Sequence, residues 1–206
     1  IWDEMLEISL RVGPSFLLNV SLNEEKQITG WFAGDLVQAH RRGREFVRAS
    51  AMQRVDASFD IVVTTNSGYP LDMNLYQGVK GMSAAATIIK PGSTIILAAE
   101  CSEGLPAQSP FDRLLRTVKS PQELLARIAT PGFAWPEQWQ SHIQALIQSR
   151  ARVLLHSALP DETVRAALLE PCADIGATVR AEVARLGPGA RVAALPWGPL
   201  TIPYVA

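Results

Sequence analysis

The sequence has few cysteines and no long apolar run, and neither charge sign predominates. Its two cysteines, Cys101 and Cys172, lie far apart and form no CxxC pair, which argues against a structural zinc site or a disulfide framework and favours a reducing cytoplasm. No apolar run approaches the roughly 18–20 residues that cross a bilayer, so we expect no membrane contact. The formal net charge is −1, which gives no general attraction to nucleic acid.

The proportions of hydrophobic and charged residues are typical of a compact protein. The chain has 206 residues, of which 48% are hydrophobic and 19% charged, enough for one α/β domain with extra elements or a small domain plus part of another. The opening residues Ile1-Trp2-Asp3-Glu4 contain neither an initiator methionine nor a signal peptide. They read as the middle of a helix, so we expect a fragment of a longer protein.

Residues 1–55 are predicted to form a helix–hairpin–helix tail, the end of an amino-terminal domain plus an interdomain helix. A helix over 2–12 stops at Gly13-Pro14. Two strands over 16–22 and 27–33 flank a polar turn and predict a hairpin. An arginine-rich helix then begins at Asp35, which is a plausible N-cap, and is expected to run to about Val55.

Residues 56–206 are predicted to form a carboxy-terminal α/β domain. Strands are expected over 59–64, 93–99, 152–156 and 191–195, and helices over 72–89, 111–118, 121–129, 136–150, 161–169 and 176–186. Strands that alternate with helices predict parallel pairing and right-handed crossovers. We therefore expect an open, Rossmann-like, three-layer domain with a mostly parallel sheet of four or five strands.

Two loops follow the first two strands of this predicted sheet. Residues 64–72 and 100–104 combine small polar residues with glycine, and ligands bind outside the carboxyl ends of strands in open parallel sheets. Cys101 lies in the second loop, but no histidine signature accompanies it, so a small packed thiol is favoured over a nucleophile.

The helix between these loops carries the most informative polar residues. Asp72 is a plausible cap, and Asn74, Gln77 and Lys80 recur every three residues, so that they share roughly one face. A lysine ammonium and a glutamine amide together suit a small carboxylate. The alternative is a solvated polar face, with the glycines of this helix serving helix–sheet packing.

The segment from Val63 to Gly104 resembles the nickel-pincer nucleotide-dependent lactate racemase family, in its carboxy-terminal part. The strings that carry the resemblance are TTNSGYPLD, NLYQGVKGMSAAATIIKPG and IILAAECSEG, with a weaker match over residues 17–35.

The resemblance implies a racemase or epimerase of 2-hydroxyacids that transfers hydride to a nickel-pincer nucleotide. That cofactor, its metal ligands and the catalytic residues would lie mainly in the amino-terminal domain, so this chain alone is expected to be inactive. The expected partners are that domain and a small 2-hydroxyacid. Within this chain, the YQxxK motif makes Gln77 and Lys80 the substrate-carboxylate residues, with Tyr76 beside them. Trp139 is the expected apolar wall of the site, and Trp135 remains open as the alternative.

Several other features of the sequence have alternative interpretations. The three histidines, His40, His142 and His156, are isolated from one another, which favours structural or solvent roles. The arginine run near residues 41–48 lacks interleaved aromatics and is expected to be a solvated helix face rather than a nucleic-acid site. Residues 64–68 do not form GxGxxG, which weakens a dehydrogenase-type domain. A non-catalytic binding domain on the same scaffold stays open.

Overall fold

A computed structural model describes residues 2–23, 25–105 and 109–206. Ile1 of the predicted opening helix and Glu24 of the predicted turn therefore lie outside the described residues. The chain divides into two compact units, Ile1–Met52 and Gln53–Ala206. No helix among the described residues is long and apolar enough to cross a membrane.

The first unit contains two helices and a hairpin. Its elements are α1 (Trp2–Val12), β1 (Leu17–Leu22), β2 (Ile28–Gly34) and α2 (Leu36–Ala51). The two strands pair antiparallel, which confirms the predicted hairpin. The carboxylate of Asp35 accepts hydrogen bonds from the backbone N–H groups of Val37 and Gln38 at 3.1 and 3.0 Å, so the predicted N-cap of α2 is also confirmed.

The second unit is built on a five-stranded parallel sheet. The strands are β4 (Phe59–Thr65), β5 (Ile89–Ala98), β6 (Ala151–His156), β7 (Glu170–Pro171) and β8 (Val192–Leu195), in the order β7-β6-β5-β4-β8. Every neighbouring pair in this sheet is parallel. The predicted open α/β fold and strand number are confirmed.

Helices cover both faces of this sheet. They are α3 (Leu75–Ala86), α4 (Pro110–Arg116), α5 (Pro121–Ile128), α6 (Gln138–Gln148), α7 (Asp161–Ala166) and α8 (Ile175–Leu186). The larger core cluster joins Leu75 and Met82 of α3 to Phe111, Leu124 and strand residues of one face. On the other face, Ile175, Val179 and Val183 of α8 pack against Ile61, Ile96 and Leu154. The domain is therefore three-layered, as expected.

Several predicted helix bounds were wrong. The helix α2 stops at Ala51 rather than near Val55, because Met52 takes an extended backbone and residues Met52–Val55 form a strand, β3. This strand pairs with β9 (Ile202–Val205), which was not predicted. The helix predicted over 72–89 occupies only Leu75–Ala86, since Ile89 already opens β5.

The predicted strand over 93–99 begins earlier, at Ile89, so that the Pro91-Gly92 pair lies inside β5. Gly92 has a φ of +76°, a conformation that glycine tolerates. The pairing register between β4 and β5 shifts between Phe59 and Ile61. The strand therefore bends at this point and continues.

Candidate functional site

The loop that follows β4 is held to its neighbours by two buried side chains. The Asn66 amide donates to the backbone oxygen of Leu71 and accepts from the backbone N–H of Gly81, the latter at 3.1 Å. The prediction that Asp72 caps α3 was wrong. Its carboxylate instead accepts a hydrogen bond from the backbone N–H of Glu100 at 3.2 Å. Asn74 caps the helix instead, accepting from the Gln77 N–H.

The glycines of α3 bring this helix close to the sheet. A Cβ at Gly81 would lie 2.3 Å from the backbone oxygen of Thr65, and one at Gly78 would lie 3.1 Å from the Leu97 side chain. Both positions are buried. These two glycines therefore allow α3 to pack closely against the sheet. Because one face of α3 is held there, the opposite face is the exposed one.

Lys80 and Gln77 lie on α3, with Lys80 exposed and Gln77 half-buried. Within the described residues, neither side chain makes a hydrogen bond or an ion pair. Lys90 differs, since its ammonium binds the Asp60 carboxylate at 2.8 Å. The Lys80 ammonium therefore keeps its charge available to a ligand.

Tyr76 connects α3 to the neighbouring helices. Its ring meets Phe111 and Trp139 edge to face, with ring centres 5.5 and 5.8 Å apart. Burial, and then the charge of Glu137, raises the pKa of the Tyr76 hydroxyl. The phenol therefore remains a hydrogen-bond donor at neutral pH.

The two candidate tryptophans occupy different surroundings. Trp139 is 52% exposed and lines a cleft of about 370 Å³ together with Lys80. Trp135 is half-buried, its indole N–H donates to the Pro110 oxygen at 2.8 Å, and the Arg113 guanidinium lies 6.0 Å from its ring centre. Geometry thus places Trp139, rather than Trp135, beside the lysine.

A separate cleft opens at the carboxyl ends of the strands. It is lined by residues of the two predicted loops, including Ser67, Asp72 and Glu100, with His156 and Trp197. Lys80 does not line this cleft. The loops at residues 64–72 and 100–104 therefore border one cleft, and Lys80 on the polar face of α3 borders another.

Sequence reasoning missed the contribution of the segment that follows β8. Pro199, Ile202 and Pro203 border the cleft beside Lys80. The only local signal was the short run Ile202-Pro203-Tyr204-Val205, and a proline inside such a run argues against a strand. Pairing of β9 with β3 brings this segment to the site.

Cys101 and His156 are both engaged within the protein. Cys101 is 2% exposed, and burial, followed by the charges of Asp72 and Glu100, raises its pKa to about 12. The thiol is therefore not a nucleophile at neutral pH. His156 lies with Nδ1 2.8 Å from the Cys172 oxygen. Across residues 2–23, 25–105 and 109–206, no cluster of three or more His, Cys, Asp or Glu side chains is arranged to hold a metal.

The second unit is thus an open α/β domain with a five-stranded parallel sheet, and the helix that follows β4 carries Lys80, which has no ion-pair partner among the described residues. Residues 54–202 match the lactate racemase C-terminal domain family, and the chain belongs to that family. The resemblance noted in the sequence is confirmed.

Two lactate racemases are similar to this chain. The one from Thermoanaerobacterium thermosaccharolyticum is 34% identical over 183 residues, which cover 87% of this chain and 42% of that protein. The one from Lactiplantibacillus plantarum is 38% identical over 202 residues, covering 96% of this chain and 47% of that protein. The chain spans about half the length of the curated relatives it matches.

Solved structures agree with the fold. The lactate racemase apoprotein from T. thermosaccharolyticum has a TM-score of 0.89 at 32% identity, with coverage of 97% of this chain and 48% of that one. A protein from Thermotoga maritima has a TM-score of 0.59 at 13% identity, over 93% of this chain and 49% of that one. At that identity, the second structure supports the fold alone.

Proposed function

We propose that the full-length protein racemises or epimerises a 2-hydroxyacid, and that this chain binds the substrate carboxylate through Lys80. The observation that carries the proposal is the exposed Lys80 ammonium, which has no ion-pair partner in the described part of the chain and shares a cleft with Trp139. The family relationship supports the reaction, because the similar proteins are named lactate racemases.

The chemistry of the α3 face suits a small hydroxyacid. Lys80 supplies a point charge to the carboxylate, and the amide of Gln77, about one turn earlier, supplies a directional donor. Tyr76 adds a phenol that is protonated at neutral pH, and burial raises its pKa further above the ordinary value. These groups orient a substrate and exclude water beside it; they do not themselves remove hydrogen from carbon.

The nickel-pincer nucleotide implied by the resemblance would supply the hydride acceptor for C2 of the substrate. The resemblance assigns the nickel ligands and the catalytic residues to the amino-terminal domain rather than to this chain. We therefore place the cofactor and the proton-transferring groups in the amino-terminal domain, and limit the proposed role of this chain to binding and orienting the substrate.

Residues 1–55 are proposed to complete that amino-terminal domain, with residues 56–206 as the part that closes over the substrate. The described part of the first unit has one fully buried hydrophobic residue, Ala39. Met5, Ile8, Phe16 and Trp31 are all more than half exposed, at 58%, 63%, 64% and 65%. A unit without a core of its own is not stable alone, and further chain packed on this surface would stabilise it.

The decisive experiment replaces Lys80 in the full-length, nickel-loaded protein. Lys80→Ala should lower kcat/KM for lactate racemisation by at least about 30-fold, since losing one partner of a desolvated charge pair costs roughly 2–5 kcal/mol. The control is Lys119→Ala, which removes another exposed lysine outside the cleft and should leave turnover unchanged. Optical rotation measures racemisation, and metal analysis checks that nickel content is the same.

Wild-type turnover in Lys80→Ala at equal nickel content would refute the carboxylate assignment. A full-length protein that holds no nickel and racemises no 2-hydroxyacid would instead support the non-catalytic binding domain.

A further inference from the structure

The cleft beside Lys80 is built from three parts of the second unit. Its lining comes from α3 (Lys80, Ser83, Ala84, Thr87), from α6 (Trp139, Gln140, Ile143) and from the segment after β8 (Pro199, Thr201, Ile202, Pro203). Its volume is about 370 Å³, within the range of roughly 300–1,000 Å³ that is typical of small-molecule sites. This is more room than a three-carbon acid requires.

The walls of the cleft are fixed to α3 on both sides. The Gln140 amide donates to the backbone oxygen of Tyr76 at 2.6 Å, which holds α6. The Thr87 hydroxyl donates to the Pro203 oxygen at 2.6 Å, which holds the segment after β8. A Cβ at Gly198 would lie 2.0 Å from the Thr65 oxygen, so this segment also lies directly against the end of β4. The cleft is preformed.

The polar atoms in the walls are mostly engaged with the protein itself. The Ser83 hydroxyl donates to the Val79 oxygen at 2.9 Å, and the Thr87 hydroxyl and the Gln140 amide are bonded as described above. The remaining side chains that face the cleft are largely apolar, including Trp139, Ile143 and Ile202. Among the described residues that line the cleft, Lys80 alone is charged. Such a surface complements one carboxylate joined to an apolar group.

We infer that this cleft receives the group attached to C2 of the hydroxyacid and selects substrates whose side chain is apolar and longer than a methyl group. The inference rests on the proposed function, because Lys80 must hold the carboxylate. With the carboxylate fixed at Lys80, the rest of the molecule extends along the face of α3 between Ile143 and Ile202. These two residues then determine specificity by the space they leave.

The experiment compares racemisation of lactate, 2-hydroxybutyrate and 2-hydroxy-4-methylpentanoate by the full-length, nickel-loaded protein and its Ile202→Trp variant. In the wild type, kcat/KM should rise by about fourfold for each buried methylene, from roughly 0.8 kcal/mol per group. Ile202→Trp fills the cleft, so kcat/KM for the branched acid should fall at least about tenfold while that for lactate changes less than about twofold. Val205→Trp, on the same strand but outside the cleft lining, is the matched control and should preserve the wild-type ratio.

A second variant keeps the test conclusive if Ile202→Trp fails to fold. Ile143→Ala enlarges the cleft and should shift preference toward the branched acid, opposite in direction to Ile202→Trp. A wild-type preference for lactate, or equal losses for all three acids in Ile202→Trp with no shift in Ile143→Ala, would overturn the inference. Either result leaves the proposed function standing if Lys80→Ala still abolishes lactate turnover. Normal lactate turnover in Lys80→Ala would instead remove the proposed function.

Discussion

The indole of Trp139 meets the phenol ring of Tyr76 edge to face, with ring centres 5.8 Å apart. The tryptophan remains 52% exposed although its neighbour is half-buried. This contact joins α6 to the helix that carries Lys80. Trp139 also lines the cleft beside Lys80, where an apolar part of a ligand can pack.

Replacing Trp139 should therefore affect substrate binding, whereas replacing Trp135 should affect the stability of the fold. Trp139→Ala should raise KM for the 2-hydroxyacid by about three- to tenfold, from roughly 1 kcal/mol of lost apolar contact, with little change in thermal stability. Trp135→Ala removes a half-buried ring and the bond to the Pro110 oxygen, and should lower unfolding free energy by about 2–3 kcal/mol. Steady-state kinetics and thermal unfolding of the full-length variants measure both. A large KM effect from Trp135→Ala without loss of stability would reverse the assignment of the two residues.

Gly81 provides a test of the helix–sheet contact. Alanine normally favours a helix over glycine by about 1 kcal/mol, but a Cβ here would meet the Thr65 backbone oxygen at 2.3 Å. Because that oxygen belongs to β4, which is paired on both sides by β5 and β8, it cannot move without disturbing the sheet. Gly81→Ala should destabilise the protein by at least about 2 kcal/mol in denaturant unfolding.

Gly189→Ala is the matched control for this substitution. A Cβ at Gly189 meets nothing within 4 Å, so the change should stay within about 0.5 kcal/mol. If Gly81→Ala were as harmless as Gly189→Ala, the close approach of α3 to β4 would be wrong.

The alternating part of the fold could be predicted from the sequence because its signals are local. The runs around Ile61, Ile95 and Val153 are β-branched and buried on both faces, and this pattern persists wherever the strand lies in a parallel sheet. Helical spacing, which is also a local signal, placed Gln77 and Lys80 on one face of a helix, but their expected role at a substrate carboxylate came from the family resemblance.

The elements that sequence reasoning missed depend on distant partners. The two-residue strand β7, Glu170-Pro171, is defined by its pairing with β6. The sequence of Met52–Val55 continues the helical pattern of α2, but in the structure this run is a strand because it pairs with β9. Ile202 and Pro203 line the cleft beside Lys80 because of the same pairing, so no local motif in the sequence predicts their position. Choosing Trp139 over Trp135 likewise required the contacts of both rings.

The Asp60–Lys90 pair predicts a pH-dependent contribution to stability. The hydrogen bond from Lys90, followed by that from the Arg191 backbone N–H, lowers the pKa of Asp60. A carboxyl whose pKa is lower in the folded state stabilises the fold fully above its ordinary pKa, near 4, and loses that contribution as the pH falls through the lowered value. Asp60→Asn should therefore reduce Tm at pH 7, and the difference from wild type should shrink toward pH 3.

Asp56→Asn is the control for this titration, because Asp56 is exposed and lies in the turn before β4. Its Tm should follow the wild-type curve across the same pH range. A constant difference between Asp60→Asn and wild type from pH 7 to pH 3 would mean that the Asp60 charge contributes nothing.

The buried thiols should resist alkylation in the folded protein. Cys101 is 2% exposed with its pKa raised to about 12 by burial and then by Asp72 and Glu100, so almost no thiolate forms at pH 8. Cys172 is 5% exposed, with its sulfur 3.3 Å from the Thr178 hydroxyl. Iodoacetamide at pH 8 should therefore label neither residue until denaturant is added, when peptide mass mapping should find both modified. Rapid labelling of Cys101 in the native full-length protein would show that the loop after β5 opens to solvent, and would return this thiol to the set of reactive candidates.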